Sequence, residues 1–186
     1  DAKADPTLNR TMDDLADPKE VDLLDACTRT ALSFKDGLSC IDGVKTADAG
    51  AVAAYRQNAR RVMLDQLSQE DQAFAAAKAA YVADPQQREY ARIFADRALK
   101  RGEELPLAVQ AARDVLRDRI PASADAVLPS VRPRRAAALE KLAWIELAAG
   151  QGADALGHMA LALGLEDTPV RRHGLGAGPR CGGSGR

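Results

Sequence analysis

Aromatic residues make up only 4% of the 186-residue chain. Strands favour aromatic and β-branched side chains, so this scarcity speaks against a sheet-rich fold. Cysteine is also sparse. Cys27, Cys40 and Cys181 form an odd set without CxxC spacing, which argues against a disulfide framework or a structural zinc site. Charge of one sign is not in surplus: 26 basic residues face 27 acidic ones, for a net charge of -1. The chain therefore has no overall basic surplus of the kind that marks nucleic-acid binders, and no nucleic-acid partner is expected. No apolar run approaches the ~18 residues of a membrane-spanning helix. Nor does a basic stretch with a hydrophobic core open the chain. Residue 1 is Asp1 rather than Met. The compartment thus stays open between cytoplasmic and exported or organellar after removal of an N-terminal segment, with a soluble chain expected in either case.

Catalytic signals are missing too. There is no HExxH, GxSxG, Walker loop or GxGxxG opening a helix. No Glu-x-x-His pair of the kind that holds iron in helical bundles occurs. His158 and His173 are the only histidines. His158 reads as a polar residue at a helix edge. The adjacent carboxylates Asp13-Asp14 and Glu103-Glu104 read as helix-start charge, which suits the positive end of a helix. No cofactor, metal or catalytic residue is expected.

Alanine is abundant, at 38 residues. It has the highest helix propensity and loses no side-chain entropy on folding. An all-α fold with closely approaching helices follows. Residues 1–16 are acidic and lack sustained periodicity, and read as a flexible arm. Asp17-Pro18 resembles a cap followed by proline at the first helical position. The spacing of Val21, Leu24, Thr28, Ala31 and Leu32 predicts a first helix over 18–36, with Gly37 as a left-handed stop. Under that reading Cys27 lies about 15 Å back from Gly37. The three residues from Gly37 to Cys40 reach back only about 10 Å. A Cys27–Cys40 bridge would require the helix to end near Phe34; a bridge and two buried free thiols are the two readings.

Further helices are predicted over about 47–67, 71–83, 86–101, 104–119, 134–150 and 152–166. Ser68 with Asp71 three residues on resembles a capping box. A proline-rich linker, PASADAVLPSVRP, separates the fifth and sixth helices. The last sixteen residues hold six glycines and four arginines. They read as a disordered tail over 171–186, which leaves a single α-helical domain over 17–170.

An internal repeat emerges from the turns. Ser68, Gly102 and Gly150 each follow a helix; the first two lie 34 residues apart and the next interval is 48, longer by about the length of the linker. After the turns stand Ala73, Ala108 and Ala155, and four residues on Ala77, Ala112 and Met159. Ala80-Tyr81, Val115-Leu116 and Ala162-Leu163 follow. This pattern resembles the tetratricopeptide repeat (TPR), a 34-residue helix pair with small residues where the helices cross. The resemblance covers residues 51–167, with pairs near 51–85, 86–120 and 133–167. In the last copy Leu142-Ala143 resembles the family's leucine and small residue, Gly150 its turn, and Ala155 and Ala162 its second-helix positions. Three departures stand out: Arg60-Arg61 where a leucine and a small residue belong, an extra residue near Leu105-Pro106, and Glu146 in place of an aromatic.

The resemblance implies antiparallel helix hairpins stacked as a short right-handed solenoid, the alternative being an irregular helical bundle. It also implies a scaffold or adaptor that holds a peptide or partner helix. First helices line the concave face in this family, which assigns Tyr55, Asn58, Asp65, Arg92, Asp96, Lys100, Glu140, Lys141 and Trp144 to a candidate groove. The Lys-x-x-x-Asn pair with which some members clamp a C-terminal carboxylate is absent, so chaperone-tail binding is not expected. The alternatives are a structural subunit of a larger assembly and an all-helical enzyme without a recognised motif.

Overall fold

The computed structural model describes residues 18–116 and 120–166. The expected acidic arm, the Gly/Arg tail and the last residues of the fifth helix lie outside them. Among the described residues there are eight α-helices and no strand: α1 (Pro18–Thr30), α2 (Phe34–Gly43), α3 (Ala51–Gln66), α4 (Glu70–Ala83), α5 (Arg88–Arg101), α6 (Leu105–Leu116), α7 (Arg132–Ala148) and α8 (Gly152–Leu165). Two short 3-10 turns, Ala124–Ala126 and Pro129–Val131, punctuate the linker before α7. The all-helical expectation holds.

The chain divides into two compact units, one up to Tyr90 and one from Ala91, with the boundary inside α5. In the first unit α1 packs on α2, both pack on α3, and α3 pairs with α4. In the second unit α6 packs on α7 and α7 pairs with α8.

The expected first helix over 18–36 is in fact two helices. Ser33 starts the second: its hydroxyl oxygen accepts the Asp36 N–H at 3.2 Å and its hydroxyl donates to the Asp36 carboxylate at 2.7 Å. An N-cap of this strength competes with continuation of the preceding helix. Gly37 is accordingly no stop. It lies buried in α2, where an added Cβ would sit 3.2 Å from Met63 Sδ and 3.3 Å from Ala31 Cβ. The break folds α2 back on α1 and brings Cys27 and Cys40 into a disulfide, with Cα atoms 5.5 Å apart. The reading as two buried free thiols is corrected, and so is the burial of Cys40, which is exposed. Leu24, Cys27, Ile41, Ala59 and Met63 form the core beneath this hairpin.

The three repeat turns share one geometry. Ser68, Gly102 and Gly150 all adopt left-handed backbone, with φ of 56°, 70° and 80°. At each, the next residue's N–H reaches back across the helix end: Gln69 to Leu64 O at 2.9 Å, Glu103 to Ala98 O at 3.2 Å, Gln151 to Glu146 O at 2.8 Å. The turn residue's own N–H bonds to Asp65, Leu99 and Leu147 O respectively. This is the Schellman arrangement, which satisfies carbonyls that the helix end leaves open. Ser68 is therefore a helix stop and not the capping residue expected for α4; Gln69 takes that place without a side-chain cap.

Each second helix then begins with the same bond. Ala73 N–H donates to Gln69 O, Ala108 to Glu104 O and Ala155 to Gln151 O. The extra residue of the middle copy sits in its turn, where Glu104 adds a second left-handed residue at φ 54°. Ala73, Ala108 and Ala155 are all buried, as are Ala77, Ala112 and Met159 at the following position. Small side chains at these sites let each second helix pack closely, as in the clusters of Leu64 with Ala73 and Ala76, and of Ala143 with Ala155 and Met159.

Candidate binding face

In the first unit α3 carries Tyr55, Asn58 and Asp65, and the structure adds Arg61 to them. Positions 58, 61 and 65 follow helical spacing and share one face. Arg61 Nε donates to Asn58 Oδ1 at 3.0 Å and its NH1 to Asp65 Oδ2 at 2.7 Å. Tyr55 donates its hydroxyl to Asp25 of α1. Burial, with the Asp25 hydrogen bond second, pushes the Tyr55 phenol up to about 12. Burial likewise raises the buried Tyr90 at the end of this unit, with Tyr55 a lesser contributor. Both rings thus keep their protons, and Tyr55 stays a donor, across the physiological range.

The two other arginines of α3 serve a different purpose. Arg56 donates from Nε to Ile41 O at 3.0 Å and from NH2 to Asp42 O at 2.9 Å, at the C-terminal end of α2. Arg60 pairs with the Asp42 carboxylate at 2.9 Å. Cations there complement the negative helix end and occupy its open carbonyls. The α1–α2 hairpin packed on α3 is why arginine stands where the repeat family has leucine.

In the second unit the expected residues lie on α5 (Arg92, Asp96, Lys100) and α7 (Glu140, Lys141, Trp144). Asp96 joins the two helices: one oxygen lies 3.0 Å from Lys141 Nζ, and the other 3.5 Å from Arg92 NH1 one turn back. Arg92, Lys100 and Lys141 are exposed. Trp144 is half-buried with Leu147 against the Ala143–Ala155–Met159 cluster, so part of its surface belongs to the pairing of α7 with α8. Glu140 is also half-buried.

One polar network joins residues that the sequence pattern does not connect. Glu146 of α7 is fully buried, at 0% exposure. Its Oε1 accepts from Arg113 NH2 of α6 at 3.0 Å, and its Oε2 lies 2.6 Å from His158 Nδ1 of α8. Arg113 also lies 3.7 Å from Asp154. His158, read from the sequence as a polar helix-edge residue, is half-buried, and its imidazole nitrogen faces a buried carboxylate. A charged residue in the core needs such partners to offset its desolvation. The only sequence signal was Glu146 itself, at a position where the repeat carries an aromatic.

Among the described residues no group of three or more His, Cys, Asp or Glu side chains is placed to hold a metal ion. Nor is any helix there long and apolar enough to cross a membrane. The two faces instead offer donors and acceptors of both signs, with a tyrosine in one unit and a tryptophan edge in the other.

No family model and no curated protein matches the chain. Among solved structures it is similar to MamA MSR-1 C2, a protein of TPR-like fold, at 13% identity and a TM-score of 0.54. The match covers 86% of this chain and 84% of that one. At that identity the likeness concerns the fold: an all-α, TPR-like arrangement of helix pairs.

Proposed function

We propose that the chain is a protein-interaction adaptor that receives a peptide or partner helix on the first helices of its pairs. The observation that carries this reading is the Asp96–Lys141 ion pair. It links α5 to α7, which this reading takes as first helices of consecutive pairs. Arg92, Lys100 and Lys141 then project with the free edge of Trp144, a mixture suited to a segment bearing carboxylates and an apolar side chain. The α3 face of Tyr55, Asn58, Arg61 and Asp65 is the corresponding surface of the first unit.

The disulfide supports an oxidising compartment for this work, because such bridges rarely persist among cytosolic reductants. A second reading, as an accessory subunit of a larger assembly, draws on the N-terminal hairpin, where Leu32, Leu23 and Phe34 are 98%, 57% and 49% exposed.

Affinity capture from the native source, with partners identified by mass, tests both readings. A partner retained by the wild-type chain and lost on Arg92→Glu with Lys100→Glu supports the adaptor. A partner lost only on Leu32→Ser with Phe34→Ser supports the subunit. Retention through both pairs of changes refutes both.

A further inference from the structure

The two helices of the N-terminal hairpin are held on α3 by unequal means. α2 buries Gly37 and Ile41, and its Leu38 packs both against the cluster of Leu24, Cys27, Ile41, Ala59 and Met63 and against Leu64, Ala73 and Ala76. Arg56 and Arg60 of α3 further tie down its C-terminal end. α1 has less to hold it. It is 13 residues long, a length at which an isolated helix is marginal in water. Over residues 19–30 its buried side chains are Leu24 and Cys27. The covalent bond from Cys27 to Cys40 of α2 is therefore a large part of what keeps α1 in place.

α1 in turn occupies Tyr55. The tyrosine packs against the cluster that contains Leu24 and Cys27, and its hydroxyl donates to Asp25. Leu24 and Cys27 share a helix face by their spacing, with the Asp25 carboxylate at its edge. Within the chain, α1 thus fills the place that the adaptor reading gives to a partner helix on α3. The bridge that fastens it is open at one end: Cys27 is 4% exposed, but Cys40 is an exposed residue. Accessible bridges of this kind are the labile, regulatory ones.

We propose that Cys27–Cys40 is a redox latch: a dithiol reductant opens it, α1 leaves α3, and Tyr55 is uncovered for an amphipathic partner helix that presents the same pairing of leucine and carboxylate. The latch rests on the reading of α3 as a binding surface and adds its control. A thiolate of the reductant attacks the Cys40 sulfur, the S–S bond breaks, and Cys27 departs as a thiolate that takes a proton from water. The second thiol of the reductant loses its proton to water and attacks the mixed disulfide, which releases Cys40. Two electrons pass: the reductant ends as a disulfide and the protein as two thiols. α2 stays on α3 through Ile41, Leu38 and the two arginines, so the opening is confined to α1.

Hydrogen exchange of the full chain with and without dithiothreitol tests the latch. On reduction the α1 amides should exchange faster by about tenfold or more, while α2, α3 and α4 keep their protection. Cys40→Ser should show the same pattern without reductant. Anisotropy of a labelled peptide, residues 18–30 with Cys27→Ala, tests the uncovered face. It is titrated with the full chain carrying Leu24→Ser and Cys40→Ser, whose own α1 competes weakly. The peptide should bind that chain about tenfold or more tighter than it binds the oxidised wild type. Asp25→Asn in the peptide, or Tyr55→Phe in the chain, should weaken binding severalfold. Unchanged α1 protection, after mass analysis confirms reduction, overturns the proposal. So does joint loss of protection from α1 through α4, which would make the bridge a staple of the whole unit. Equal binding of the peptide to both chains, or none to either, overturns it as well. Partner capture with Arg92→Glu and Lys100→Glu reads the α5–α7 face separately, so its failure and the failure of the latch are told apart.

Discussion

The buried carboxylate of Glu146 separates two costs that are easily confused: losing an ion pair and stranding a charge. Glu146 is 0% exposed, whereas its partner Arg113 has a side chain 37% exposed and can also turn toward Asp154. Arg113→Met removes the outer partner and leaves the carboxylate buried with His158 alone. Breaking a buried pair in this way costs about 3–5 kcal/mol, and water reaching Arg113 trims the figure to about 2–3 kcal/mol. Glu146→Leu removes the buried charge itself. Arg113 is then rehydrated, and only His158, at 15% exposure, loses a partner. The expected cost is about 1 kcal/mol. The double variant should sit close to Glu146→Leu, and therefore be more stable than Arg113→Met alone. Urea titrations of the four proteins decide it. If Glu146→Leu destabilises as much as Arg113→Met, or the double variant falls below both singles, stranded charge does not govern this core.

Two further predictions concern the first unit and the repeat turns. Reduction of Cys27–Cys40, which are 13 residues apart, should lower stability by about 3 kcal/mol on loop-closure grounds, seen as a lower melting temperature in reductant; an unchanged melt, after mass analysis confirms reduction, would mean the hairpin holds without its bridge. At the turns, Ser68→Gly should stabilise by up to about 1 kcal/mol because a left-handed backbone disfavours a side chain. Gly150→Ala should destabilise by about 1 kcal/mol on the same ground, since nothing crowds its Cβ position. Matching signs in denaturant titration would refute the shared turn geometry.

The repeat was legible because its signals are local. The 34-residue step from Ser68 to Gly102, and the alanines at fixed offsets after each turn, follow directly from backbone needs and helix crossing. Misreadings arose where one residue type serves two purposes. Serine both caps and ends helices, so Ser68 passed for a cap. Glycine serves left-handed turns and close approaches alike, so Gly37 passed for a stop when it makes room for Met63 and Ala31. Ser33 carried the real boundary, and with it the disulfide, but its hydroxyl competes with helix continuation only in three dimensions. The Glu146 network could not be read at all, since its partners lie 33 residues before and 12 after it. Of the candidate face, Tyr55, Asn58 and Asp65 follow only from the resemblance to the repeat family, whereas Arg61, which hydrogen-bonds Asn58 and Asp65, stands as a departure from that family's pattern. The Asp96–Lys141 pair likewise depends on helices distant in sequence.

Equivalence of the three helix pairs is the central property of this fold, and one set of substitutions measures it. Ala73, Ala108 and Ala155 occupy the same position after their turns and are buried, whereas Ala75 and Ala153 on the same second helices are exposed. Leucine is nearly as good a helix former as alanine, so helix propensity cannot separate the two groups. Denaturant titration should show Ala73→Leu, Ala108→Leu and Ala155→Leu each losing about 1–3 kcal/mol through overpacking. Ala75→Leu and Ala153→Leu should stay within about 0.5 kcal/mol of wild type. A neutral or stabilising result at any of the three buried alanines would contradict the common crossing geometry and the repeat built on it.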